Sequence, residues 1–194
     1  MPDSLYLSIW LKKKTFHNPL AAFEKLLSTF PVSRLAHAAS TLQILAISFS
    51  EPPLAEHEIG APADAETVVD LASEFYNRDS CFQLDTWWDL WSLDTDWRLA
   101  PARVALLAFA EEFERPDGED LRIDFGLETQ FLPPPGDVSA ARIMQGNITS
   151  LLRLVHDIEK ALPVQRKLLW SESGENFAER LQRALREGTA DPLT

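Results

Sequence analysis

The most regular pattern of apolar and polar positions lies in residues 139–162. Apolar side chains recur there at alternating spacings of four and three residues, which places them on one stripe of a helix. These positions are Met144, Ile148, Leu151, Val155, Ile158 and Leu162. Ser139 can cap the start of this helix, and Pro163 disfavours helical dihedral angles in the residue before it. The pattern therefore predicts a long amphipathic helix.

The segment before this helix alternates between apolar and polar residues from position 121 to 131. The apolar members are Leu121, Ile123, Phe125, Leu127 and Phe131, with Thr129 on the same side. A period of two predicts a half-buried β-strand. A strand with one apolar face and a helix with one apolar stripe can bury each other.

The first third of the chain predicts a strand over residues 4–11, a helix that begins at Asn18-Pro19, and a strand over 41–49. Proline is favoured at the first helical position, directly after an asparagine cap. This order predicts a βαβ unit with a right-handed crossover. Residues 51–63 contain three prolines and a glycine, and we interpret them as a linker between two subdomains.

Asp64 begins a second predicted helix. Residues 81–92 follow, and as a strand they would place Gln83, Asp85, Trp87, Asp89 and Trp91 on one face. The alternative is a short helix capped by the first of these aspartates. The strand is preferred, because aromatic residues and threonine favour strands.

The remaining elements are predicted from shorter signals. We expect a turn over 94–101, a buried strand over 102–111, an exposed connection over 111–120, a last strand over 166–170 and a closing helix over 175–186. The order βαβ, αβββ, αβα predicts an α+β fold, a mixed sheet with helices mainly on one face. Two ferredoxin-like halves would fit this order. One domain is expected over 1–188, with a frayed tail over 189–194.

The net charge of −12 narrows the classes of partner. Residues 51–137 hold 21 acidic and 5 basic side chains, a net charge of −16. Nucleic acid and anionic membranes are disfavoured, since both require a basic surface. This charge is compatible with a basic protein partner, with a small polar or cationic ligand, or with a solvated acidic face that serves only solubility.

Cys81 is the only cysteine, so no intrachain disulfide can form, which fits a reducing compartment. The apolar run at the N-terminus precedes its lysines, in the reverse of the order in a signal peptide. No apolar stretch reaches the ~20 residues that span a bilayer. We therefore expect a soluble cytoplasmic protein of bacterial type.

Four tryptophans within eleven residues are the most unusual feature of the sequence. Trp87 and Trp91 alternate with Asp85 and Asp89, so a strand would give them a common face. An indole beside a carboxylate can hold a cation or stack on a sugar. These four residues are the predicted ligand-binding site. The competing interpretation is that the tryptophans fill the core and make cross-strand pairs.

No catalytic signature accompanies this cluster. The sequence contains no HExxH, GxSxG, GxGxxG or GxxxxGK[ST] motif, so no metal, cofactor or catalytic residue is predicted. The expected function is therefore a non-enzymatic binding or interaction protein with an acidic, tryptophan-rich surface. Two alternatives remain open: a small-molecule enzyme using Asp85 or Asp89 in an aromatic-walled pocket, and a homo-oligomer packed through the long helix.

Overall fold

A computed structural model describes residues 3–12, 18–132, 138–172, 177 and 179–182, without the side chains of residues 138 and 139. The elements in chain order are β1 (Ser4–Leu11), α1 (Pro19–Thr29), β2 (Ser40–Ala46), β3 (Ala55–Ile59), α2 (Ala65–Ser73), β4 (Ser80–Leu93), β5 (Trp97–Phe109), β6 (Leu121–Leu127), a short 3₁₀ helix (Glu128–Gln130), α3 (Val138–Ala161) and β7 (Val164–Ser171). Residues 177 and 179–182 are also helical.

The seven strands form one sheet in the order β3-β2-β4-β5-β6-β1-β7. Every neighbouring pair is antiparallel. The α+β class predicted from the sequence is therefore confirmed, whereas the predicted mixed sheet is wrong. The strands β4, β5 and β6 are neighbours and form an antiparallel meander.

In the predicted βαβ unit, the two parallel strands are not neighbours in the sheet. Strands β1 and β2 run in the same direction, but β4, β5 and β6 lie between them. A ferredoxin-like half is a split βαβ unit with one strand between its parallel strands, whereas three strands lie between β1 and β2, so ferredoxin-like halves are not confirmed. The separation of β1 from β2 in the sheet could not be predicted from local sequence, because the apolar pattern of α1 does not specify how many strands the connection crosses.

The three α-helices bury their apolar side chains against one face of the sheet. Phe23 and Leu26 of α1, Val68 of α2, and Leu151 and Ile158 of α3 belong to one buried cluster. The strands contribute their inward-facing residues to it, including Leu7, Ile44, Leu84, Trp88, Leu106 and Ile123. Among the described residues that form this cluster, none of the α-helical residues lies on the other face of the sheet.

Of the three helix starts predicted from capping residues, those at Asn18 and Asp64 are confirmed and the one at Ser139 is wrong. The Asn18 side chain accepts hydrogen bonds from the backbone N–H groups of Leu20 and Ala21, at 3.0 and 3.4 Å. The Asp64 carboxylate accepts one from the Thr67 backbone N–H at 3.0 Å. The hydrogen bonding of Thr67 to the Asp64 carboxylate favours its charged form and lowers the pKa of Asp64. Helix α3 begins at Val138, so Ser139 lies within its first turn.

The predicted strand over 121–131 ends early, at Leu127. Gly126 adopts a φ of +71°, a conformation that favours glycine and turns the chain out of regular strand geometry. The backbone N–H of Glu128 then donates to the carbonyl of Asp3 at 2.9 Å, outside the regular ladder. The side chain of Glu128 pairs with Arg180 and is buried.

Two predicted connections contain strand. Residues 55–59 of the predicted linker form β3, which pairs with β2 through its whole length. Residues 97–101 of the predicted turn belong to β5, so the turn from β4 to β5 spans only residues 94–96. Pro101 is tolerated because β6 pairs with β5 only from Ala105 onward, and prolines occur in strands at open edges.

The remaining boundaries shift by a few residues. β2 ends at Ala46 rather than at residue 49, because Ile47 has a φ of +68°. β7 is longer than predicted at both ends. The predicted closing helix over 175–186 is described only at residues 177 and 179–182, and the predicted tail over 189–194 lies outside the described residues.

Candidate functional site

The tryptophan-rich segment is a strand, as the sequence predicted. In β4, Phe82, Leu84, Trp88 and Leu90 are buried on the helix side. Asp85, Trp87, Asp89 and Trp91 alternate with them and lie on the opposite, partly exposed side. Trp88 belongs to the core and contacts the rings of Phe30, Phe125 and Phe131. The four predicted site residues therefore share one face of one strand.

The carboxylate of Asp85 makes contacts within the protein. It accepts a hydrogen bond from the side-chain amide of Gln83 at 3.0 Å and one from the guanidinium of Arg103 at 2.7 Å. Arg103 is opposite Trp87 on the neighbouring strand β5. This pair partly neutralises the acidic face beside Trp87.

The carboxylate of Asp89 anchors the segment that follows α1. One oxygen accepts the Ser33 hydroxyl, and the other accepts the backbone N–H of Arg34 at 2.9 Å. The backbone N–H of Ser33 donates to the carbonyl of Trp87 at 2.7 Å. Because β2 pairs with β4 only as far as Asp85, this segment covers an edge of β4 that no strand occupies.

Asn147 of α3 holds the same edge further along. Its side-chain oxygen accepts the backbone N–H of Trp91 at 2.8 Å, and its side-chain nitrogen donates to the carbonyls of Trp91 and Gln130 at 2.9 and 2.8 Å. Asn147 is buried, so these bonds satisfy its polar atoms. A side chain at Gly146 would lie 3.2 Å from Cδ1 of Trp91, so the indole packs against the helix.

The β4–β5 hairpin extends beyond its neighbouring strands and exposes apolar side chains. Trp91 is opposite Leu99, and Asp89 is opposite Pro101. Trp91 is 40% exposed and Leu99 is 44% exposed. We call the surface formed by Asp85, Trp87, Asp89, Trp91, Leu99 and Pro101 the hairpin face.

A row of residues in direct register continues this surface across the sheet. It runs through Glu58, Thr41, Asp85, Ala105, Asp124, Tyr6 and Trp170, one from each strand. Asp85 and Asp124 are two strands apart, roughly 10 Å, with a small alanine between them. Burial, together with the charges of Glu172 and Asp85, raises the pKa of Asp124. The sequence did not identify Asp124 as part of a site, because its partners come from distant segments.

At the far end of the same face, a small apolar cluster encloses charged side chains. The connection between β5 and β6 was predicted to be exposed, but Glu119 is fully buried there and pairs with Arg122. Arg122 also lies over the ring of Phe109, at 5.6 Å from its centroid. Burial beside this cluster raises the pKa of Cys81, which keeps its thiol protonated and unreactive.

A pocket of about 470 Å³ lies at the end of the hairpin, between β4, β5, the turn after β6 and the start of α3. Trp91, Trp97, Leu127 and Met144 contribute to its walls. Its polar lining includes Gln130, whose side-chain oxygen is buried without a hydrogen-bond partner among the described residues. The pocket holds two of the clustered tryptophans but neither of the predicted aspartates.

Within the described part of the chain, no group of three or more His, Cys, Asp or Glu side chains could hold a metal ion. None of the described helices is long and apolar enough to cross a membrane. Comparison with known proteins found no matching family model, no similar curated protein and no similar solved structure.

Proposed function

We propose that this protein is a non-enzymatic interaction protein whose docking surface is the hairpin face. The observation that carries the proposal is the exposed cross-strand pair of Trp91 and Leu99, next to Trp87 and Pro101 on a hairpin that extends beyond its neighbours. Exposed apolar side chains that lie together on a surface are typical of interaction sites, and tryptophan is enriched among the residues that dominate binding energy.

The partner that fits this surface is a polypeptide with apolar side chains flanked by lysine or arginine. The chain carries a net charge of −12, and its acidic excess is concentrated in the segment that includes the hairpin. Opposite charges on two partners accelerate their association and exclude acidic competitors. The apolar side chains of the hairpin face supply the burial that charge alone does not.

The proposal can be tested with a designed peptide of alternating leucine and arginine. Two comparison peptides replace every arginine by glutamate or every leucine by serine. Fluorescence anisotropy should show saturable binding of the first peptide only, and the affinity should fall as the salt concentration rises from ~50 to ~300 mM. Leu99→Ser should weaken this binding about tenfold, the loss typical of a strong interface residue.

Leu152→Ser is the matched control, because Leu152 is also an exposed leucine, at 54%, but lies on α3. It should leave the affinity unchanged. Equal weakening by the two variants, or equal binding of all three peptides, would contradict the hairpin face as the docking surface.

The enzyme alternative receives less support from the same residues. The carboxylate oxygens of Asp85 and Asp89 accept hydrogen bonds from Arg103, Gln83, Ser33 and the backbone of Arg34. Carboxylates held in this way are well suited to fixing loops and cross-strand geometry. A homo-oligomer through α3 would be supported by a concentration-dependent mass in analytical ultracentrifugation that Leu152→Ser abolishes.

A further inference from the structure

The pocket at the end of the hairpin has a lining that selects for uncharged molecules. None of the described residues that line it has a charged side chain. An ion that entered would lose its hydration without gaining a partner of opposite charge, which is costly. Polar groups come from Ser92, Thr129 and Gln130, all of which are neutral hydrogen-bonding residues. The occupant should therefore be neutral.

The apolar walls favour a flat, rigid body. Trp91 and Trp97 bring two indole side chains to the pocket, and Leu127 and Met144 add aliphatic and thioether surface. Aromatic rings attract one another in stacked and edge-on arrangements, and methionine adapts its shape to aromatic neighbours. The backbone of Trp91 is held on both its N–H and its carbonyl by Asn147, so this wall is formed before a ligand arrives.

Gln130 favours a ligand that can donate a hydrogen bond. The backbone carbonyl of Gln130 accepts a hydrogen bond from Asn147 at 2.8 Å, which fixes its main chain at the pocket wall. Its side-chain oxygen is buried and has no hydrogen-bond donor among the described residues. A buried acceptor without a donor is costly. Rotation of this amide toward the pocket would let an O–H or N–H group of a ligand supply the missing bond.

We propose that this pocket binds a neutral aromatic molecule that carries one hydrogen-bond donor, the chemistry shared by phenols and indoles. A volume of about 470 Å³ lies within the range of pockets that accept small organic ligands. The pocket shares Trp91 and Pro101 with the hairpin face. The inference does not rest on the proposed docking function, because it depends on the enclosed, uncharged lining rather than on the exposed surface.

Three ligands with the same ring system test separately whether the hydrogen-bond donor and the absence of charge matter for binding. Isothermal titration calorimetry of the full chain at neutral pH would compare 2-naphthol, 2-methylnaphthalene and 2-naphthoate. The neutral donor, 2-naphthol, should bind about two- to tenfold more tightly than the hydrocarbon, the increment expected for one hydrogen bond. The anion should bind more weakly than either.

Substitutions assign the binding to this pocket. Ala100→Trp and Thr129→Trp each add bulk to the wall and should abolish binding, and Thr129 is exposed, so its variant should fold. Ala38→Trp is the matched control, because it adds the same side chain at an exposed position outside the pocket. Gln130→Met should remove the preference for 2-naphthol over the hydrocarbon while retaining binding of both.

Three results would overturn the inference. The first is absence of saturable binding by 2-naphthol, and the second is 2-naphthoate binding as tightly as 2-naphthol. The third is unchanged affinity in Thr129→Trp, which would place the ligand elsewhere. Because Leu99 does not line this pocket, Leu99→Ser should leave 2-naphthol binding intact, so failure of the docking proposal and failure of this one are distinguishable.

Discussion

Asp124 lies on the solvent side of β6, in register with Tyr6 on one neighbouring strand and Ala105 on the other. Its side chain accepts a hydrogen bond from the backbone N–H of Gly126 at 2.8 Å. That bond lowers the pKa of Asp124, but burial and the charges of Glu172 and Asp85 outweigh it and raise the pKa above the ordinary value of 3.8. The fold therefore holds this carboxyl where ionisation is disfavoured.

We predict that Asp124→Asn stabilises the protein at pH 7. The raised pKa means that the folded state binds the proton more tightly than the unfolded state, so stability falls as pH rises through the interval between the two pKa values. Asparagine keeps the acceptor for Gly126 and removes the charge. The gain in melting temperature should be largest at neutral pH and should shrink as pH falls toward 3.8, as thermal unfolding across this range would show.

Asp70→Asn provides the control, because Asp70 is exposed on α2 and the change removes the same charge from the whole molecule. Equal stabilisation by both variants would indicate relief of general repulsion rather than of the local environment of Asp124. A lower melting temperature for Asp124→Asn at pH 7 would show that its negative charge contributes favourably to folding.

Sequence could identify some single-residue roles and not others. Asn18 and Asp64 cap helices through bonds to residues two or three positions away, so local pattern was sufficient. The role of Asp89 depends on Ser33, 56 positions away, and could not be read from neighbouring residues. The predicted ligand-binding role of Asp85 and Asp89 remains a prediction.

At the level of elements, Asn147 provides a polar contact between α3 and β4 that helps to position the hairpin. Asn147 is buried close to the apolar stripe of its helix, so its side-chain amide needs hydrogen-bond partners within the fold. Its partners are the main chains of Trp91 and Gln130, which join the helix, the hairpin and the turn after β6. The side-chain amide of Asn147 thus connects three elements that are distant in sequence.

We predict that Asn147→Leu lowers the free energy of unfolding by about 3 kcal/mol. Leucine has a similar volume but leaves one backbone N–H and two carbonyls without their partner, and each buried unpaired group costs ~1–3 kcal/mol. Water reaching the partly exposed Trp91 would recover part of this cost. Urea denaturation followed by tryptophan fluorescence measures the change.

Gln145→Ala, two positions earlier on the exposed side of α3, should change stability by no more than ~0.5 kcal/mol. If Asn147→Leu is as stable as the wild type, water replaces the three hydrogen bonds at no cost. Apolar packing and the hydrogen bonds of Asp89 to Ser33 and Arg34 would then be sufficient to hold the hairpin.

Considered as a whole molecule, the protein combines a continuous apolar core with a strongly acidic surface. The net charge of −12 produces self-repulsion in the compact state. The exposed ion pairs of Arg78 with Glu111 and Glu112 offset little of it, because exposed pairs contribute at most ~1 kcal/mol.

We predict that the melting temperature rises by about 2–4 °C when NaCl increases from ~10 to ~300 mM. This rise corresponds to about 1 kcal/mol for a chain of this size, as salt screens repulsion over distances longer than the Debye length. Differential scanning calorimetry measures the shift. Tetramethylammonium chloride at equal ionic strength should give the same rise, whereas a fall with both salts would show that attractive pairs dominate.

Local sequence patterns were sufficient to predict the elements that depend on neighbouring residues. The stripe of α3, the alternation of β4, and the caps of α1 and α2 are confirmed, because they depend on residues within one or two turns or along a single strand. The alternation of β4 placed Trp87 and Trp91 on one face, whereas the burial of Trp88 on the other face is known only from the structure.

The neighbours of each strand and the surroundings of the exposed side chains depend on contacts between distant segments, which local patterns do not specify. The sequence of β3 has only a weak strand pattern. It forms a strand because its backbone pairs with the open edge of β2. The burial of Glu119, the raised pKa of Asp124 and the pocket beside Trp97 likewise depend on segments far apart in the chain. Periodicity specifies which side of an element is buried, but the choice of partner depends on packing of the whole chain.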